Sequence, residues 1–295
     1  MVSAMKVYCV QPDVAWHDAA TNRERLDRMI RSASPPPGSL VVLPECAFSG
    51  FTANVAAATD SPNDESAAWL AALAAELDIT IIAGLVTTAD DGRGRNQAVV
   101  CEPGGEVGRY TKIHRFAFGG EVEQFQPGTA PRVFDVGGAR VAPLICYDLR
   151  FPETFRDAAA QGVDVFVVIA NWPSKREHHW HALLRARAIE NQAYVVGVNR
   201  TGSDPNLAYG GGTSVYDHDG HPLLAMNELP AVAGTTLDVA AVRRVREALP
   251  FLADFLASRQ AGSAAATAAA VAAAGVVDEW PDDVSDALAA AGAAG

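Results

Sequence analysis

Short apolar runs alternate along this chain with stretches in which apolar side chains recur every three to four residues. MKVYCV, SLVVLPE, ITIIAGLV, NQAVVCE, ARVAPLICY, DVFVVIANW, AYVVGVN and GTSVYD are short, rich in Val and Ile and bounded by turn residues, so they read as strands. TNRERLDRMIRSA, DESAAWLAALAAELD, PETFRDAAAQG and HWHALLRARAIENQ carry the helical period and lie between them. Strands alternating with helices predict an α/β layered fold.

The order of pieces repeats. SLVVLPE, the helix at 65 to 77, ITIIAGLV and NQAVVCEPGGEVGRY are echoed by DVFVVIANW, the helix at 179 to 191, AYVVGVN and GTSVYDHDGHPLLA. Each half closes on a hairpin, with turn residues Pro103, Gly104 and Gly105 in one and Asp217 to Gly220 in the other. Two such halves, each with one sheet face to cover, predict a four-layer αββα sandwich, one domain over residues 1–256. From 257 to 295 the chain turns Ala-rich and poor in large apolar groups. Alanine favours helix, but a lone helix without a packed face is marginal in water, so this stretch reads as a flexible or weakly helical tail. Val277 and Trp280 are the side chains there that offer a surface for docking.

Composition narrows the function. At 295 residues and 49% hydrophobic the chain buries a large core, and its net charge of −12 comes with no basic stripe, which disfavours nucleic acid. No apolar run reaches the roughly eighteen residues of a membrane span. The N-terminus enters a strand with no basic region and cleavage site, and Cys9, Cys46, Cys101 and Cys146 show no CxxC spacing. Both features point to the cytoplasm. In EHHWH, His178 and His181 stand three apart, but no further ligand completes a zinc set, so the stretch reads as a surface or interface helix. Without GxxxxGK[ST], and with Gly210 to Gly212 outside any strand-to-helix turn, neither a metal nor a cofactor is expected.

The candidate chemistry centres on VAPLICYDLRFPE, where an apolar run ends on Cys146 and a helix starts near Pro152. One reading is a core cysteine, since free Cys packs as a small hydrophobe. The other is a nucleophile at a strand end, close to exposed backbone N–H groups and a positive helix terminus, features that lower a thiol's pKa. The Tyr147 amide then faces a developing oxyanion. Glu45 ends the run LVVLPE from Leu40 and on position alone reads as a cap or turn residue. Lys112, in YTKIHRF, taken alone reads as solvated surface.

Together LPECAFSG, YTKIHRF and LICYDLRFPE resemble, in this order, the three signature blocks of the nitrilase, or carbon-nitrogen hydrolase, superfamily. The resemblance spans roughly residues 5 to 254. It implies the αββα sandwich, homo-oligomers built on a dimer, and a Glu45, Lys112 and Cys146 triad that needs no cofactor. It further implies a second glutamate in the loop after the lysine, seven residues before a glycine. Counting back from Gly128 gives Glu121, with Glu123 as its rival. The implied mechanism has Glu45 take the thiol proton, Cys146 attack an amide carbon, and Lys112 with the Tyr147 N–H hold the oxyanion. Glu121 then holds Lys112, and His114 takes a supporting position.

Within the superfamily, ANWP followed by HWHALLRARAIENQAYVVGVNRTGSD, together with GGEVEQF, is similar to the ω-amidase-like branch, which hydrolyses the terminal amide of 2-oxo dicarboxylic acid monoamides. A small anionic amide needs a cation for its carboxylate. Arg150 is the candidate, equally readable as a structural ion pair, while Lys175 and Arg176 read as exposed. Trp172 and Phe118 wall a pocket or plug the core. ARAIENQAYV reads as packing, with Arg185, Arg187 and Glu190 in internal ion pairs and Asn191 at the helix end. The competing readings are a carbon-nitrogen hydrolase for N-carbamoyl amino acids or deaminated glutathione, a non-catalytic scaffold of the same fold, and, last, a redox-sensing thiol protein.

Overall fold

The computed structural model describes residues 4–59 and 64–261. In chain order the first half runs β1 (Met5–Gln11), α1 (Ala19–Ala33), β2 (Leu40–Val42), the single turn α2 (Val55–Ala58), α3 (Glu65–Leu77), β3 (Thr80–Thr88), β4 (Gly94–Glu102), β5 (Gly105–Thr111) and the short α4 (Glu121–Gln124). The second half runs β6 (Phe134–Val136), β7 (Ala139–Ile145), α5 (Pro152–Ala159), β8 (Val165–Ala170), α6 (Glu177–Asn191), β9 (Tyr194–Asn199), β10 (Thr201–Ser203), β11 (Ala208–Gly210), β12 (Ser214–Tyr216), β13 (Pro222–Ala225) and β14 (Ala231–Leu237). One compact unit extends through Val239, and a second begins at Ala240. The remaining described residues form α7 (Val239–Ala248) and α8 (Phe251–Ala261). Position 257, where the composition changes, lies inside α8, and the Ala-rich stretch from 262 onward lies outside the described residues.

Strand pairing repeats as the sequence order does. One sheet is ordered β14-β1-β2-β3-β4-β5 and the other β13-β12-β9-β8-β7-β6. In the first, β1, β2 and β3 are parallel and β4 and β5 follow antiparallel; in the second, β7, β8 and β9 are parallel and β12 and β13 follow antiparallel. Both sheets gain an antiparallel edge that the apolar pattern does not reveal. β14 pairs with β1, and β6 with β7. β14 is half-exposed along most of its length, so its alternation is faint. The hairpin of β10 and β11 forms a small sheet of its own.

The sheets pack face to face, β4 against β7 and β1 against β9, while α1 and α3 cover one outer face and α6, with α5 beside it, covers the other. This is the αββα sandwich. VFVVIA in β8 and YVVGVN in β9 are buried at every position, as expected of parallel strands covered on both sides. Among the described residues no helix is long and apolar enough to cross a membrane.

Both parallel strands β2 and β8 end at the same edge of the sandwich, so the residues after them, Glu45 and Asn171, meet. Gly84 lets the chain after β2 lie flat on β3. A Cβ there would stand 2.4 Å from the Glu45 Cα and 2.7 Å from the Cys46 nitrogen. Gly84→Ala must therefore push backbone apart, and should lower stability by about 1–3 kcal/mol, the usual cost of overpacking. Urea unfolding of the two proteins checks this, and an unchanged midpoint would mean that the turn yields freely.

Candidate active site

Lys112 follows β5 and is buried, with 2% of its side chain exposed. An ammonium out of water survives only with opposite charge and hydrogen-bond acceptors around it. Two carboxylates supply them. Lys112 Nζ donates to Glu45 Oε1 at 2.9 Å and to both Glu121 oxygens, at 2.9 and 3.1 Å. Glu121 is fully buried, whereas Glu123, two residues on, is exposed. Two further donors hold this pair of acids together: Asn96 Nδ2 reaches Glu45 Oε1 at 2.8 Å and Glu121 Oε1 at 3.0 Å, and the Phe116 N–H reaches Glu121 Oε2 at 2.6 Å.

The other oxygen of Glu45 faces the second sheet. The Asn171 N–H donates to Oε2 at 2.8 Å, and Asn171 Nδ2 donates to the Glu45 carbonyl at 2.6 Å. Burial pushes the Glu45 carboxyl up, but the charge and hydrogen bond of Lys112, with the Asn171 and Asn96 donors, outweigh it and hold the group below its ordinary value. Burial likewise works against the Lys112 charge, and Glu121 and Glu45 more than reverse that, raising the ammonium well above its usual range. Glu45 is thus an ionised base with a permanent cation at its side.

Cys146 follows β7 with φ of 45°, in the left-handed region, and opens a 3-10 turn, Cys146–Arg150, ahead of α5. The first N–H groups of such a turn have no partner within it, and that of Tyr147 is among them. Asp148 fixes the turn. Its buried carboxylate accepts from the Tyr110 hydroxyl at 2.7 Å, the Ile145 N–H at 3.0 Å and the His114 N–H at 2.9 Å, and meets His114 Nδ1 at 2.9 Å. One side chain therefore clamps the thiol's turn to the segment that carries Lys112. From the other side Arg187 donates to the Leu149 carbonyl at 2.8 Å while pairing with Glu190 at 3.0 Å. Arg185 is exposed, and Asn191 donates to the Arg187 carbonyl in the last turn of α6.

The thiol itself corrects an expectation. Strand-end placement predicts a lowered pKa, yet burial and the charge of Glu45 push the Cys146 thiol well above its usual range, with Lys112 opposing them only in part. The helix-end N–H groups are weaker influences than a carboxylate this close. At rest the sulfur is protonated beside the ionised Glu45 carboxylate, to which it hydrogen-bonds, and lies 3.9 Å from the Asn171 carbonyl.

Cys146 and Lys112 open on a cavity of about 490 Å³. Trp172 walls it and is 3% exposed, with its ring 4.7 Å from the Arg150 guanidinium. Phe118 lies at the rim, 95% exposed, so it does not plug the core. Arg150 and Arg176 both line the cavity, and among the described residues no carboxylate lies within ion-pair distance of Arg150. The far wall includes Tyr209, delivered by β11. Its hydroxyl donates to Asp204 at 2.5 Å, and the fully buried Arg200 sits 4.5 Å over its ring. Among the described residues no group of three His, Cys, Asp or Glu is arranged to hold a metal ion.

Residues 6–247 match the family model described as carbon-nitrogen hydrolase. The chain belongs to the carbon-nitrogen hydrolase family. Among curated relatives of this hydrolase is the omega-amidase YafV of Escherichia coli K12, 36% identical over 85% of this chain and 96% of that one. Another is the 2-oxoglutaramate amidase of Bacillus subtilis, 30% identical over 84% of this chain and 96% of that one. Among solved structures, XC1258 of Xanthomonas campestris, a CN-hydrolase superfamily protein with an arsenic adduct in its active site, superposes with a TM-score of 0.79 at 33% identity, over 85% of this chain and 97% of that one. The hydrolase accordingly sits with the ω-amidase-like branch.

Asp148, Asn96 and Asn171 have no assigned role in the sequence reading, although Asp148 and Asn171 stand inside the quoted LICYDLRFPE and ANWP. For Asn171 the available signal was a polar residue directly after the fully apolar strand β8. A pH experiment follows from Glu45. Its folded-state carboxyl titrates below the ordinary 4.5, so near that pH the unfolded chain binds the proton first. The stabilisation is complete above pH 4.5 and drains away as pH falls through the folded value. Urea midpoints should drop across this acid range, and more steeply for wild type than for Glu45→Gln.

Proposed function

We propose that this carbon-nitrogen hydrolase, an enzyme acting on amides, cleaves the terminal amide of a small carboxylate-bearing substrate of the 2-oxoglutaramate type, releasing ammonia and the dicarboxylate. The observation that carries the reading is the closed cluster of Glu45, Lys112 and Glu121 beside the Cys146 thiol, in a cavity that also holds Arg150 without an acidic partner. The names of the curated relatives support the substrate class.

In the proposed cycle Glu45 accepts the thiol proton as Cys146 Sγ attacks the amide carbon. The oxyanion that forms is met by the Lys112 ammonium and the Tyr147 N–H, both present before the substrate arrives. When the tetrahedral adduct collapses, the carbon–nitrogen bond breaks, and the nitrogen leaves as ammonia with the proton that Glu45 held. The same carboxylate then deprotonates a water that attacks the thioester, and the thiol regains its proton as the carboxylate product departs. Glu121 keeps Lys112 charged and in place throughout. Arg150, stacked on Trp172, pairs with the distal carboxylate of the substrate.

Ammonia release from 2-oxoglutaramate, with glutamine and a simple nitrile as comparison substrates, tests this directly. The oxo-amide should turn over, and Cys146→Ala should abolish that turnover while remaining folded. Absence of ammonia from all three compounds with wild-type protein would overturn the substrate assignment. Arg150→Gln should raise KM for the oxo-amide by about tenfold or more and change kcat little, as expected when a bond made equally in ground and transition states is lost.

A further inference from the structure

One side chain that touches the cavity's Arg150 is left unused by this cycle. His179, in the first turn of α6, brings Nδ1 to 3.3 Å from Nη2 of Arg150. A guanidinium has donors only and stays charged, so the contact is a hydrogen bond only when Nδ1 is the acceptor. That requires a neutral imidazole with its proton on Nε2. The bond joins two loops of different origin: Arg150 belongs to the turn after Cys146, and His179 to the helix after Trp172 and Pro173. Arg150 also packs over the ring of Trp172, whose indole N–H is tied to the Arg176 carbonyl at 2.8 Å.

We infer that His179 is a positioning residue for substrate: as a neutral acceptor it holds Arg150 over Trp172 with its remaining donors turned to the cavity, and on protonation it releases Arg150 and weakens carboxylate binding. The inference rests on the reading of Arg150 as the partner of the substrate carboxylate. It adds a group that touches neither the substrate nor the reacting atoms, and it gives substrate affinity an acid limit separate from that of the chemistry.

The surroundings favour the neutral form. His179 is faced by Arg150, by Arg176 and by the neighbouring His178, whose ring centroid is 4.1 Å away. Partial burial comes first, and the neighbouring His178 and the charges of Arg150 and Arg176 add to it, in holding the imidazole below its ordinary 6.5. With the folded value depressed, the acceptor is available at neutral pH and is lost only as pH falls through the acid side of the histidine range. Among the described residues no acid is in ion-pair contact with His179 to pull in the opposite direction.

The deciding experiment is steady-state ammonia release between neutral and mildly acidic pH, for wild type, His179→Ala and His179→Asn, on 2-oxoglutaramate and on a neutral amide of similar length. The Asn side chain offers an acceptor near the place of Nδ1 and does not titrate. At neutral pH, His179→Ala should raise KM for the oxo-amide about tenfold, the loss of one hydrogen bond to a charged group, with kcat within about twofold. His179→Asn should restore KM and remove its rise at acid pH, and the neutral amide should notice neither change. An unchanged KM in His179→Ala, or an equal rise for the neutral amide, overturns the inference. If wild type fails to turn over the oxo-amide, the reading of the substrate fails by itself. Calorimetric binding of 2-oxoglutarate to Cys146→Ala, with and without His179→Ala, then still decides the matter: equal affinity overturns the role of His179, and weaker binding in the double variant upholds it.

Discussion

A buried ammonium organises this molecule. Lys112 cannot be taken out of water without two carboxylates, and two buried carboxylates cannot lie side by side without donors of their own. Asn96, the Phe116 N–H and the Asn171 N–H meet that need, and each comes from a different segment of the fold. The demand for satisfaction thus reaches β4, the loop after β5 and the end of β8. Removing either carboxylate leaves the buried ammonium with only one, and removing a donor leaves a carboxylate oxygen short of a partner, so the members depend on one another. The same demand explains Gly128, whose nitrogen donates to the Lys112 carbonyl at 2.8 Å and whose missing side chain lets the loop lie against the end of β5.

The repeat in the strand order gives the cluster its location. β2 and β8 hold corresponding places in their sheets, and Glu45 and Asn171 are the polar residues just beyond them. Once the sheets pack, these two chain ends lie together, and the bonds between Glu45 and Asn171 join the halves at their open edge. Cys146 follows β7, the neighbour of β8, so the thiol arrives at the same edge. Ligand sites of α/β sheets commonly sit beyond the carboxyl ends of parallel strands, and here two sheets contribute such ends to one site.

Much of this was legible in the sequence because apolar periodicity reports burial directly. The runs that become β2, β3, β7, β8 and β9 are continuous and Val- and Ile-rich, and the turn after Cys146 is marked by Pro152. β14 escaped notice because a half-exposed edge strand has weak alternation, and β10 and β11 because three-residue strands carry almost no pattern. Glu45, Lys112 and Cys146 stood out through their resemblance to family blocks; by residue type alone Lys112 reads as surface. Asp148 and Asn96 could not be read, since what matters in them is where distant N–H and O–H groups end up. The direction of the Cys146 shift was misread for a related reason: local sequence shows the turn but not the carboxylate brought to it from a hundred residues away.

That raised thiol has a consequence for how the protein survives its surroundings. Alkylating agents and peroxides consume thiolates, and a sulfur that keeps its proton offers them little to react with. In the proposed cycle Glu45 takes the proton only as a carbonyl is seated between Lys112 and the Tyr147 amide, so on that reading nucleophilicity is latent. In the empty cavity a thiol held above its usual range meets such reagents mostly in its less reactive, protonated form.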